Sequence, residues 1–337
     1  MFVEAREGDL IEVSEGALFD VKGLVHPPRR VVAFIRYYPN SRGERLKGGV
    51  RFSKVYSLSK RYNLLKEKFP QYLVYDSVFD EWLCEVPHKD VVKHYRPTEY
   101  LRELRGSDEL DPIESLAVDL AETLKEEARI PWSALGVSGS ILSGIHNRKS
   151  DLDLVVYGSD NCRRVYAALL DLTERGRMLK RYDIDGLRSL YAFRAKDSKA
   201  SFEEFLKTET RKVIQGIYQN RDYFLRFVKD WGEVDEEYGS IRYRRRGRAR
   251  LKARIADDSE SIFTPCRYRI DEVDFIEGVK VEPLVEIASF RGRFCEQARV
   301  DEWVIAEGKV EMVQRLNGEV YYRLLLGNSP LDQMIRA

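Results

Sequence analysis

Apolar and polar residues alternate along the chain in three regimes. Up to about residue 105 the period is two. Ala17–Val25 alternates and is rich in strand formers, His26-Pro27-Pro28-Arg29 marks a turn, and Val31–Tyr38 reads as a second strand. Pro39–Gly49 is a polar, glycine-rich connection, strand character resumes over Val50–Tyr56, and Leu64–Phe69 reads as a short helix. Strands joined by short turns predict an antiparallel sheet.

A boundary falls near Arg105-Gly106-Ser107-Asp108, and the period then changes to that of a helix. Asp111 is an N-cap residue, Pro112 suits the first helical position, and Glu114 completes a capping box. Ile113, Leu116, Ala117, Leu120 and Leu124 form one apolar stripe. Strands follow at Ala134–Ser138 and Asp151–Tyr157, a helix at Cys162–Arg175, and a largely helical stretch over Ser201–Trp231. This alternation predicts helices packed on a small sheet. From Pro265 the period returns to two. Gly308–Leu316, Asn317-Gly318 and Glu319–Leu326 read as a hairpin with a type I′ turn, and Val281–Phe290 as a further strand, together a C-terminal β-barrel, of OB-like kind, or a sandwich. The fold class expected is therefore α+β, with a β-rich N-terminal domain (1–106), a core (107–262) and a barrel-like C-terminal module (263–337).

Composition narrows the class. At 337 residues, 43% of them hydrophobic, the chain can bury two or three cores. No run approaches the roughly 18 apolar residues of a membrane span, and the charged N-terminus reads as no secretory signal. Cys84, Cys162, Cys266 and Cys295 are far apart in sequence, which suits a reducing cytoplasm better than a disulfide scaffold or zinc ribbon. The net charge of +1 is uninformative about partners, while scarce Asn and Gln beside abundant Lys, Arg and Glu point to a thermophile.

The chemistry lies in one stretch. Gly139-Ser140 ends a strand, ten residues intervene, and Asp151-Leu152-Asp153 opens the next. A glycine lets backbone approach a phosphate, a serine adds a hydroxyl donor, and a short helix after them offers free N–H groups. Asp151 and Asp153 point to one face of their strand, about 7 Å apart, where they can share divalent cations that keep sites open for phosphate oxygens. No Walker-type phosphate loop and no Gly-x-Gly-x-x-Gly fingerprint is present.

This arrangement resembles the DNA polymerase beta-like nucleotidyltransferase superfamily, in which Gly-Ser at a strand end precedes Asp-x-Asp on the next strand. The resemblance covers about Pro112–Tyr157, and the rest of the chain is similar to an archaeal branch of predicted nucleotidyltransferases. It implies transfer of a nucleoside monophosphate from an NTP to a hydroxyl acceptor, with release of pyrophosphate. It further implies that Gly139 and Ser140 hold the β,γ-phosphates and that Asp151 and Asp153 ligate Mg²⁺ or Mn²⁺. Lys149 is a candidate for further phosphate contact. The acceptor (RNA end, protein side chain or small molecule) and the oligomeric state are left open.

The superfamily carries a third carboxylate on a later strand, a general base for the attacking hydroxyl. The strand Arg248–Asp258 is the candidate, with Asp258 on its polar face as catalytic and metal-binding residue, or Asp257 if a bulge intervenes; Asp183 and Asp185 fit a helix start better. Ile241–Arg254 holds seven arginines and one lysine among fourteen residues. Lys252 and Arg254 share the phase of Asp258 and are candidates for triphosphate binding. The rival reading is a solvated strand paired with the acidic Glu233–Glu237. A non-catalytic nucleic-acid-binding protein on the same scaffold is the alternative function, and a toxin–antitoxin component a third.

Overall fold

The computed structural model describes residues 3–195 and 199–337 and shows an α+β protein with three sheets. The N-terminal strands are β1 (Leu10–Val13), β2 (Leu18–Val21), β3 (Arg30–Pro39), β4 (Arg45–Lys47) and β5 (Val50–Lys54), followed by helix α1 (Leu58–Lys68), β6 (Leu73–Asp76), β7 (Glu81–Pro87) and β8 (Val91–Tyr95). They form an eight-stranded sheet in the order β4-β5-β3-β2-β1-β8, with β7 on β3 and β6 on β7. Both faces are packed. Ile11, Phe19 and Ile35 cluster with Leu65, Phe69 and Tyr72. Leu10, Leu18 and Tyr37 cluster on the other face with Leu142 and Ile145. Ile35 and Tyr37 are two apart yet face opposite ways, which a regular strand does not permit. Phe19 pairs with Ile35 and Leu18 with Tyr37, so Arg36 is the extra residue of a β-bulge.

The core follows: α2 (Pro97–Arg105), α3 (Pro112–Ala128), β9 (Leu135–Val137), α4 (Gly139–Leu142), β10 (Leu152–Tyr157), α5 (Ser159–Arg175), β11 (Leu179–Lys180), α6 (Ile184–Arg194), α7 (Phe202–Glu209), β12 (Gln215–Tyr218) and β13 (Arg221–Val228). The sheet order is β11-β12-β13-β10-β9, and β10 and β13 run parallel. Helix α3 starts as its sequence predicts. Asp111 Oδ1 accepts from Ile113 N at 2.8 Å and Glu114 N at 3.0 Å, and the Glu114 carboxylate accepts from Asp111 N at 3.1 Å.

The helix expected over Ser201–Trp231 stops at Glu209. Gln219 and Asn220 take φ of 46° and 64°, the left-handed turn that joins β12 to β13. Tyr223, Leu225 and Phe227 are then buried at period two.

The remaining strands are β14 (Ile241–Asp257), β15 (Cys266–Gly278), β16 (Leu284–Ser289), β17 (Trp303–Arg315), β18 (Val320–Leu326) and β19 (Gln333–Arg336). Because β14 pairs with both β15 and β17, five of them close into a ring, β14-β15-β16-β18-β17, with β19 added on β17. β14 therefore belongs to this barrel and not to the core sheet. The β17–β18 turn has positive φ at Gly318 (88°) and not at Asn317, so it is not type I′.

Packing divides the chain into two units. One is Met1–Val74, Leu83–Arg181 and Val213–Asp235; the other is Tyr75–Trp82, Tyr182–Lys212 and Glu236–Ala337. The N-terminal sheet and the core sheet thus share a unit, and the boundaries expected at 106/107 and 262/263 are not where the units part. Among the described residues no helix is long and apolar enough to cross a membrane.

Candidate functional site

The site is built within the first unit. β9 and β10 pair antiparallel, Val137 with Leu154, and Ser138 N donates to Asp153 O at 2.7 Å. The chain turns away from β10 at Gly139, whose φ is +62°. A Cβ on Gly139 would lie 2.0 Å from Asp153 Oδ2. Only glycine tolerates both that conformation and that approach. Gly139 and Ser140 therefore stand directly against the Asp-x-Asp strand, and Ser140 is buried.

Asp151 and Asp153 lie on one face, as their spacing requires. The third carboxylate beside them is Asp222, which the sequence reading missed. β13 runs parallel to β10 with Leu152 opposite Tyr223 and Asp153 opposite Phe224. One residue earlier, Asp151 and Asp222 enter their strands side by side. The signal was present: Asp222 opens Tyr223–Val228 as Asp151 opens Leu152–Tyr157, an acidic residue ahead of an apolar strand. It was hidden by reading that stretch as helix.

Asp151 is solvent-exposed, yet its carboxyl is pushed up to about 6. Crowding by protein atoms is the largest cause, and the charges of Asp153 and Asp222 add to it, while Lys54 and Arg45 oppose it. Carboxylates brought together on one face form the donor set that a divalent cation takes.

A small cleft beside them is lined by Asp20, Arg36, Gly139, Asp153, Phe224 and Arg226. Arg226 is ion-paired to the fully buried Glu7, and Lys22 reaches Glu7 at 3.1 Å and Asp20 at 2.8 Å. Burial would raise the Asp20 carboxyl, but Lys22 and Arg226 outweigh it and hold it well below its ordinary range. The N-terminal sheet adds Arg36 from its bulge, Arg45 from β4 and Lys54 from the end of β5. Arg45 also donates to Ile145 O and Ser150 Oγ, both at 3.1 Å, and so fixes the spacer between Gly139-Ser140 and Asp151.

The other expected residues lie elsewhere. Lys149 is exposed in the spacer, its backbone N–H bonded to Asn147 Oδ1 at 2.9 Å. His146 is tied to Asp111 Oδ2 at 2.6 Å. Asp111, Glu114 and His146 bring ligand atoms within 4.8 Å of one another, but both carboxylates also cap α3. Asp258, Lys252 and Arg254 belong to the second unit with β14, whereas Asp151, Asp153 and Asp222 belong to the first. Asp258 Oδ2 is 3.8 Å from Arg299. Asp257 Oδ1 accepts from Ser259 N at 2.8 Å. Lys252 Nζ lies 4.7 Å above the Trp303 ring. Arg254 is bound by Asp271 at 2.7 Å, Glu272 at 2.6 Å and Asp301 at 2.9 Å. The basic stripe does have acidic partners, on β15 instead of Glu233–Glu237: Arg250 stands opposite Glu277, Lys252 opposite Asp274 and Arg254 opposite Asp271.

Fold and site together define an α+β protein whose mixed core sheet carries Asp153 and Asp222 on two parallel strands, with Asp151 immediately before the first. The chain belongs to the family of an archaeal protein, the uncharacterized protein MJ1086 of Methanocaldococcus jannaschii. The two are 32% identical over 336 residues, covering 97% of this chain and 96% of that protein. No family model matches the chain. No solved structure matches it.

Proposed function

We propose that this chain is a metal-dependent nucleotidyltransferase on a polymerase-beta-like core, moving a nucleoside monophosphate from an NTP to a hydroxyl acceptor. The observation that carries the reading is the meeting of Asp151, Asp153 and Asp222 on one sheet face, with Gly139 in contact range of Asp153. It supplies from β13 the third carboxylate that the resemblance requires.

The donor set fits Mg²⁺ or Mn²⁺, hard cations that take carboxylate oxygens. Asp151, Asp153 and Asp222 would hold them. Bound there, the cations would neutralise charge developing on the phosphates. Asp222, on the strand next to the pair, would take the proton of the acceptor hydroxyl. The acceptor oxygen bonds to the α-phosphorus as the bond to the bridging oxygen breaks, and pyrophosphate leaves. Gly139 keeps the strand end open to the phosphates, and Ser140 follows it in the turn. Positioning and electrostatics then account for most of the rate.

Pyrophosphate release from each of the four NTPs, with RNA, protein or small alcohols as acceptor and Mg²⁺ or Mn²⁺ present, tests the reading. Asp153→Asn and Asp222→Asn should each abolish it while circular dichroism stays native. Release that persists in both variants would remove the aspartates from the chemistry. The binding alternative is weakened over Arg250–Arg254, where Arg250, Lys252 and Arg254 stand opposite carboxylates on β15.

A further inference from the structure

Five buried or partly buried cations of this protein each have a carboxylate within ion-pair distance. Arg226 has Glu7, Lys212 has Glu209 at 2.7 Å, Lys309 has Glu311 at 2.6 Å, Arg323 has Glu311 at 2.8 Å and Lys22 has Asp20 at 2.8 Å. That is the ordinary condition of a desolvated charge, which is costly when left unpaired. Arg36 and Lys54 break the pattern. Both are partly buried, and among the described residues neither side chain makes a hydrogen bond or an ion pair. Their contacts are with one aromatic ring, Tyr56, at 5.5 Å from the Arg36 guanidinium and 4.6 Å from Lys54 Nζ.

The two cations stand together by construction. Tyr37 pairs with Lys54 across β3 and β5, and the bulge places Arg36 next to that pair. Arg36 lines the cleft that contains Asp153 and Gly139. Arg36 senses Asp153, and Lys54 senses Asp151 and Asp153, yet neither cation closes onto these carboxylates. A pair of like charges held apart from the nearest carboxylates is an arrangement waiting for an anion.

We propose that Arg36 and Lys54, on the N-terminal sheet, bind the triphosphate of the NTP, with Tyr56 holding them in position opposite Asp151 and Asp153. The proposal rests on the nucleotidyltransferase reading and assigns the N-terminal sheet its part in it. It replaces Lys149, Lys252 and Arg254 as the phosphate-binding cations. The phosphate chain bridges the cationic wall and the metal-binding carboxylates, so its negative charge is met from both sides.

The probe is inorganic tripolyphosphate, titrated calorimetrically into the full chain with EDTA present. Wild type should bind, Lys54→Met should weaken binding at least tenfold, and Lys54→Arg should restore most of it. Asp151→Asn should bind more tightly, since a like charge is removed from the far side. Arg36→Gln should weaken binding as Lys54→Met does; if it fails to fold, the Lys54 variants decide alone. No binding by wild type, or equal binding by Lys54→Met, overturns the proposal. So does Lys54-dependent binding of a 5′-hydroxyl RNA oligomer without binding of tripolyphosphate, which would make the wall a reader of nucleic-acid backbone. Mn²⁺ titration of the same proteins separates the two readings. Mn²⁺ binding with Lys54-independent tripolyphosphate binding sinks the wall alone, and Lys54-dependent tripolyphosphate binding without Mn²⁺ binding sinks the transferase alone.

Discussion

A methyl group on Gly139 would stand 2.0 Å from Oδ2 of Asp153. The strand end and the Asp-x-Asp motif are thus in direct steric register, and the space between them belongs to glycine. Gly139→Ala must relieve a clash and hold a left-handed φ, at a cost of about 1–3 kcal/mol. It should lower the urea midpoint and displace Asp153, weakening Mn²⁺ binding as well. An alanine variant with wild-type stability and wild-type metal affinity would mean that the turn is not fixed as described.

The two candidates for third carboxylate separate cleanly in a metal titration. Asp222→Asn should weaken Mn²⁺ binding by at least tenfold, about 1.4 kcal/mol. Asp258→Asn should leave it unchanged, because Asp258 lies just past the end of β14, 3.8 Å from Arg299. Calorimetry on both variants checks this, and the reverse ranking would return the role to β14.

The arginine stripe of β14 should be silent toward phosphate. Arg254 already meets three carboxylates, so Arg254→Ala should leave both NTP affinity and the salt dependence of RNA binding where they were. The variant should show only a small loss of thermal stability. A flatter log–log salt slope, by about one unit, would show that the residue does contact a nucleic-acid backbone.

His26 gives the fold a pH dependence. Its Nδ1 accepts from Val32 N at 3.2 Å and its Nε2 donates to Ala5 O at 2.8 Å, which uses the neutral ring completely. Burial lowers its pKa to about 4. Between that value and the ordinary 6.5 the unfolded chain binds the proton and the folded chain does not, so stability is lost as pH falls through this window. His26→Gln should cost about 1–2 kcal/mol at pH 7 through lost hydrogen bonds. Its deficit against wild type should shrink by pH 4.5. Urea midpoints at the two pH values check the sign, and a constant deficit would contradict it.

The parts of this structure that local chemistry dictates could be read in advance. The Asp111–Glu114 box starts α3, and the Gly139-Ser140 and Asp151–Asp153 spacing delivers both motifs to one place. What could not be read was pairing. β14 has a correct period-two phase, but alternation says nothing about which strands lie on either side. Arg250, Lys252 and Arg254 on it face β15 carboxylates that a local window does not contain. β13 was lost for a different reason. Ser201 and Glu204 do form a capping box, so a helix does begin there, and only the left-handed Gln219-Asn220 turn marks how far the chain has since departed from it. The bulge at Arg36 is a tertiary fact with no local mark: it is seen in the change of side between Ile35 and Tyr37.

Each unit is assembled from three separate stretches of chain, so the polypeptide changes unit five times. No single cut can excise either one. Removal of everything after Asp235 would leave Tyr75–Trp82 and Tyr182–Lys212 without the strands they pack with. The same interleaving sets an order on the ribosome. A nascent chain emerged only to Arg181 holds Asp151 and Asp153 but lacks β13, and the sheet that displays them cannot close until Tyr182–Lys212 has been synthesised and passed over. The parallel strand carrying Asp222 arrives after that detour, so this site is completed by a late, non-local contact, the kind that makes folding slow.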